Sequence, residues 1–135
     1  MPNNNYLRND IITVPQAITG TFVDLGGSFN VLTWGKMGVF ISVLVNNSTS
    51  IQIKPQVRDF GSTTWFDLPI KRGLSTKTMI AQGLYEFSYT SDFDACFDID
   101  TAGVGEIKLQ IRATGNTPIP GIVTQCFSQL TPGGE

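Results

Sequence analysis

In Glu106-Ile-Lys-Leu-Gln-Ile-Arg-Ala113, Ile107, Leu109 and Ile111 share one parity while Lys108, Gln110 and Arg112 share the other. A period of two marks a strand with one face in a core and one in water. A helix repeats its apolar face every three or four residues instead. The alternation recurs in Ile51 to Asp59, Leu84 to Thr90 and Asp92 to Asp100. No window of helical length carries a 3.6-residue stripe, and Ser75 to Gly83 fits one or two helical turns at most. Val39 to Val45 is apolar at all but one position, as expected of a strand buried on both faces or nearly so. Pro55 falls in phase with the inward set Ile51, Ile53 and Val57, where a proline without an N–H marks an edge or a bulge.

Shorter strands fill the intervals: Asp10 to Val14, stopped by Pro15; Phe29 to Trp34 after a Gly26-Gly27 turn; Trp65 to Leu68; and Gly121 to Leu130. Eight to ten short strands divided by Gly, Pro, Asn and Ser predict an all-β chain, a single antiparallel β-sandwich with a jelly-roll-like path. The 135 residues suit one core, and a chain of this size buries roughly 67% of its surface on folding. The sandwich is expected over residues 10–130, between an extended N-terminal arm at 1–9 and a C-terminal tail at 131–135.

Charge is sparse. Only 15% of residues are Asp, Glu, Lys or Arg, the net charge is −2, and there is no histidine. Duplex nucleic acid is a poor partner, because binding it needs clustered cations to displace counterions. Without histidine the Ser-His and Cys-His nucleophile systems are excluded, along with any His-containing metal site. No apolar run approaches the ~18 residues of a membrane-spanning helix. The polar N-terminus lacks the charged-then-apolar order of a signal peptide, so synthesis in the cytosol without export by the usual route is expected. Cys96 and Cys126 each sit among apolar neighbours and read as two buried, reduced thiols.

Asp92, Asp94, Asp98 and Asp100 hold four of the eleven acidic residues and share one parity. That is the pattern of a solvated strand face. An acidic contact surface, a calcium site or a pair of hydrolytic carboxylates each needs these groups to converge on something. Tyr85, Phe87 and Tyr89 fall on one face of their strand and read as core or interface before sugar platform, while Trp65 suits a plug at the end of a sandwich. Lys71-Arg72-Gly73 is the one basic pair and reads as a solvated loop, or as a contact for an acidic partner.

The stretch Ile51-Gln-Ile-Lys-Pro-Gln-Val-Arg-Asp-Phe-Gly-Ser-Thr-Thr-Trp-Phe-Asp-Leu68 and the later Glu106-Ile-Lys-Leu-Gln-Ile-Arg-Ala-Thr-Gly115 resemble small virion proteins of tailed bacteriophages. In format the chain is most similar to head decoration, or cement, proteins. The resemblance implies a non-enzymatic role on the outer capsid surface of a virion, with the major capsid protein as partner and a homo-oligomer, a trimer before a dimer, as the working unit. It implies no cofactor, metal, nucleic acid or membrane, and carries over no catalytic residue. The residues expected to make contacts are Asn3, Asn4, Asn5, Tyr6 and Arg8 in the arm, Lys71 and Arg72 in the loop, and Asp92, Asp94, Asp98 and Asp100 on the acidic strand. Two other roles compete: a tail or receptor-binding module gripping glycans through Tyr85, Tyr89 or Trp65, and a hydrolase working through the four aspartates.

Overall fold

The computed structural model describes residues 6–59, 62–68, 72–73, 77–81, 84–87, 92–115 and 118–132, and only the backbone of the three short strands between 72 and 87. The strands are β1 (Leu7–Asp10), β2 (Gln16–Ala17), β3 (Val23–Asn30), β4 (Lys36–Leu44), β5 (Ser50–Arg58) and β6 (Phe66–Asp67). They continue with β7 (Arg72–Gly73), β8 (Lys77–Ala81), β9 (Leu84–Phe87), β10 (Phe93–Asp100), β11 (Glu106–Thr114) and β12 (Ile122–Thr131). One sheet runs β1-β12-β4-β10-β7, with β2 also on β12; the other runs β3-β11-β5-β9-β8, with β6 also on β5. Every pairing is antiparallel. The chain crosses repeatedly between sheets and its last long strand lies beside its first, which is the wrapping of a jelly roll. No helix occurs among the described residues.

The core lies where the inward parities meet. Met37, Val39, Ile41 and Val43 from β4, Phe97 and Ile99 from β10, and Val123, Cys126 and Leu130 from β12 face Leu25, Ile51, Ile53, Ile107, Leu109 and Ile111 from the other sheet. Strand β4 sits between β12 and β10, and its outward residues Gly38, Phe40 and Ser42 are half-buried as well. The strand therefore answers to its near-continuous apolar sequence. The β11–β5 ladder runs in unbroken register from Glu106 opposite Arg58 to Thr114 opposite Ser50.

Pro55 is neither at an edge nor in a bulge. It stands opposite Leu109 in that unbroken ladder, and on its other side β5 changes partner from β9 at Ile51–Ile53 to β6 at Gln56–Val57. The Leu68 N–H donates to the Pro55 carbonyl at 3.1 Å, so that carbonyl faces the β6 side. A residue's N–H and C=O point the same way from a strand. The missing N–H thus falls in the gap between two partners and breaks no ladder.

Other expectations shift for identifiable reasons. Leu7–Asn9, expected in a loose arm, are extended but paired with β12, Leu7 opposite Leu130 and Asn9 opposite Ser128. The strand expected at Asp10–Val14 therefore ends at Asp10, and Ile11 turns into the core instead. The expected Gly26-Gly27 turn is a bulge within β3: Leu25 opposes Leu109 and Phe29 opposes Ile107, so β3 carries two extra residues there. Gly26 has φ +67°, and the Gln16 amide clamps the bulge, accepting from Gly26 N at 3.0 Å and donating to Asp24 O at 2.9 Å. The segment that allowed one or two helical turns contains β8, paired with β9.

Two outward sheet faces as candidate contact surfaces

The outward face of the β3–β11–β5 sheet is a ladder of polar side chains. Arg58 donates to Glu106 at 3.2 Å, Arg112 to Gln52 at 2.6 Å, and Gln110 to Asp24 at 3.1 Å, while Lys108 pairs with Asp24 at 3.3 Å. Aromatic rings lie over these cations. Trp65 has Arg58 and Lys108 at 4.4 and 4.5 Å from its ring centroid, and Phe22 has Arg112 and Lys54 at 4.3 and 4.9 Å. Trp65 is therefore half-buried on a sheet face and does not plug the sandwich end as expected. The cations of Lys108 and Arg112 point outward as their parity predicts.

The outward face of the β10–β4–β12–β1 sheet is different in kind. Registers place four cross-strand rows on it. Asp94, Ser42 and Gln125 form one; Cys96, Phe40, Phe127 and Asp10 the next; then Asp98, Gly38, Gln129 and Arg8; then Asp100, Lys36 and Thr131. Phe40 and Phe127 stack with centroids 5.0 Å apart and planes at 14°, and the Arg8 guanidinium lies 3.9 Å from the Phe127 centroid. Phe40, Ile41, Ser42, Asp94, Ala95, Cys96 and Phe127 line a groove of about 310 Å³. The acidic rail borders this apolar strip on the β10 side, and Arg8 borders it on the β1 side.

The expected contact residues separate accordingly. Arg8 comes to this face, pairing with Asp10 at 3.3 Å, and Tyr6 is exposed just before β1. Asp94 and Asp100 are exposed and Asp98 is half-buried opposite Arg72 of β7. Asp92 turns away to accept from the Val45 N–H at 2.9 Å, and Asp100 accepts from the Ala102 N–H at 3.1 Å. Two of the four carboxylates thus complete backbone hydrogen bonds; Asp92 and Asp94 border a hollow of about 190 Å³ with Ser42 and Thr124, and Asp98 and Asp100 lie farther along the strand, outside it. Asn3, Asn4, Asn5, Lys71, Tyr89 and the side chains of Arg72, Tyr85 and Phe87 lie outside the described residues. Among the described residues no group of three or more acidic, Cys or His side chains is placed to hold a metal ion, and no helix is long and apolar enough to cross a membrane.

Phe40, Phe127 and Cys96 are the residues that strand-by-strand reading missed. Cys96 shares the parity of the aspartates, and that signal outweighs its apolar neighbours: it is exposed, whereas Cys126 is buried as expected. Burial pushes the Cys126 thiol up from 9.0 to about 12. The thiolate is the nucleophile, so an alkylating reagent at pH 8 labels one thiol in the native protein and two in urea, which mass spectrometry reads directly. Loss of Cys126 labelling protection without denaturant contradicts the packing. Above pH 9 the unfolded chain ionises at Cys126 while the folded chain does not. Stability therefore falls as pH rises from about 9 toward 12.

Comparison with known proteins bears on the fold. No family model matches the chain, and no curated protein matches it either. Among solved structures, infectious bursal disease virus, Gx strain, superposes with a TM-score of 0.55 at 14% identity, covering 97% of this chain and 33% of that one. The VP2 subviral particle of infectious bursal disease virus gives 0.51 at 14% identity, with the same coverage of 97% and 33%. The SPBc2 prophage-derived protein YomS gives 0.47 at 17% identity, covering 93% and 92%. This chain spans about a third of the length of the two infectious bursal disease virus chains. At such identities the likeness to the two infectious bursal disease virus structures is one of fold alone.

Proposed function

We propose that the chain is a structural protein of a bacteriophage virion, a decoration protein that binds the major capsid protein on the outer surface of the shell and stabilises it. The observation that carries this reading is the outward apolar strip that the stacked, half-buried Phe40 and Phe127 make across neighbouring strands of one sheet. In a sandwich, outward sheet positions are normally polar, and a rimmed apolar patch marks a surface that meets another protein. The jelly-roll fold supports the reading by its likeness to proteins of virus particles, although a fold alone hosts many functions. Tyr6 and Leu7, 56% and 48% exposed, stand at the start of β1, which pairs on its outer side with no other strand among the described residues, an edge to which a neighbouring protein could add a strand.

The test is to add purified protein to undecorated capsids of the phage that encodes it. Specific saturable binding with a rise in capsid melting temperature of several degrees is expected; an unchanged melting temperature overturns the reading. A receptor-binding module is the second reading, favoured by Trp65, whose half-exposed indole is held in place over Arg58 and Lys108. Glycan-array binding that disappears in Trp65→Ala, with no capsid binding, decides for it.

A further inference from the structure

We infer that Phe22, Lys54 and Arg112 form an oxyanion site on the outward face of the β3–β11–β5 sheet, and that it takes the acid group of an acidic glycan. Two arrangements of one kind stand on the β5–β11 ladder, offset by four residues. Trp65 lies over Arg58 of β5 and Lys108 of β11, and Phe22 lies over Lys54 of β5 and Arg112 of β11. Both cations at Trp65 have a carboxylate, Glu106 at 3.2 Å from Arg58 and Asp24 at 3.3 Å from Lys108. Among the described residues, neither cation at Phe22 has one. Asp24, in the row of Gln110 and Lys54, is engaged by Lys108 and Gln110. Lys54 and Arg112 stand 4.9 and 4.3 Å from one ring centroid, so their charge centres lie within about 9 Å of each other. Like charges held that close repel, and an anion between them relieves it.

Arg112 is set to receive that anion. Its Nε donates to Gln52 Oε1 at 2.6 Å, Gln52 is buried, and the guanidinium lies over Phe22. The fork is thereby held from two directions. Its terminal amino groups keep no hydrogen bond to a described residue and are not buried. A planar fork with free terminal donors matches the paired oxygens of an acid group, and Lys54 adds a second positive charge at the same ring. The main-chain groups of a sheet are spent in its ladders, so a peptide strand finds no backbone partners on this face. Two unmatched cations are too few for a nucleic acid, whose affinity comes from displacing many counterions. A sugar acid brings both an oxyanion and a ring face, and half-exposed Trp65 lies on the same ladder about 13 Å away. The inference rests on the glycan reading of Trp65 for the source of the acid group. The site is on the sheet opposite the Phe40–Phe127 strip, so a chain seated on a shell by that strip still presents it.

A glycan array probed with the full chain tests it, carrying uronate-, sialate- and sulfate-bearing glycans beside their neutral cores. Acidic glycans are expected to bind about ten-fold or more tighter than the neutral cores, and to lose about ten-fold or more in Lys54→Gln and in Arg112→Gln. Lys54→Gln is the cleaner variant, because the Phe22 ring is the one side-chain contact of Lys54 among the described residues, and its melting temperature is expected to stay unchanged. Glu86 stands one strand beyond Gln52 in the row of Arg112; Glu86→Gln is expected to leave binding as it is, and a gain of about ten-fold makes Glu86 the occupant and overturns the inference. No binding of acidic glycans, equal binding of the neutral cores, indifference to Lys54→Gln, or tighter binding of poly-glutamate or an oligonucleotide overturns it too. Neutral-glycan binding that is lost in Trp65→Ala but survives Lys54→Gln removes only this site and leaves the receptor reading standing. Capsid stabilisation is expected to be the same in Lys54→Gln as in the unaltered chain; its loss there assigns the site to the shell protein and overturns the inference.

Discussion

Replacing Phe97 with alanine lowers the stability of the fold by about 3–5 kcal/mol, the range for a buried phenylalanine that leaves a cavity its neighbours cannot fill. Phe97 heads the fully buried side chains by volume, at 1% exposed, and lies opposite Val39 on β4 in a sheet held on both sides. Inner-face neighbours from two sheets are fixed by long-range ladders, so collapse around the missing ring is limited. With a domain stability of roughly 5–15 kcal/mol, the loss is a large share of the whole. Urea unfolding reads it as a lower midpoint at unchanged slope. Asp94→Ala, on the same strand but facing outward and exposed, changes stability by no more than about 0.5 kcal/mol. Equal effects at the two positions contradict the assignment of faces on β10.

Gly26→Ala is expected to cost at least about 2 kcal/mol, for two reasons that act together. The backbone at Gly26 is left-handed, φ +67°, where an L side chain costs about 1–2 kcal/mol. A Cβ there would also stand 1.9 Å from the Ile11 carbonyl oxygen and 2.9 Å from its carbon. Those are main-chain atoms, and Ile11 has little room to yield: its side chain is buried and its N–H donates to Cys126 O at 2.9 Å. Relief of the clash therefore pulls the chain away from β12 at the point where it leaves β1. Gly27→Ala is the control, since a Cβ there meets nothing within 4 Å. A change within about 0.5 kcal/mol is expected. Thermal unfolding of the two variants side by side checks the pair, and similar melting temperatures rule out the bulge geometry.

Much of the architecture is readable from parity. Ile107, Leu109 and Ile111 inward with Lys108, Gln110 and Arg112 outward follow from their alternation, because a strand sends successive side chains to opposite faces whatever it pairs with. The same rule places Asp94, Asp98 and Asp100 in a row, and it places Cys96 among them once parity is given more weight than composition. Pro55 reads from the sequence as an edge or a bulge, and the structure puts it at neither. Its location in mid-sheet was not legible, because the gap it occupies is made by β6 and β9 arriving from elsewhere.

What the sequence by itself determined is the period-two chain, the core set it implies, and a composition poor in charge and without histidine. Strand neighbours are decided at long range. Phe40 and Phe127 stack only because β12 returns to lie beside β4, and Arg8 reaches that pair only because the N-terminal strand joins the sheet instead of trailing as an arm. The Gly26 bulge likewise exists because Ile11 crosses it in space. Local alternation says which way a side chain points; only the tertiary pairing of distant strands says what stands next to it. The candidate surface is made of such neighbours.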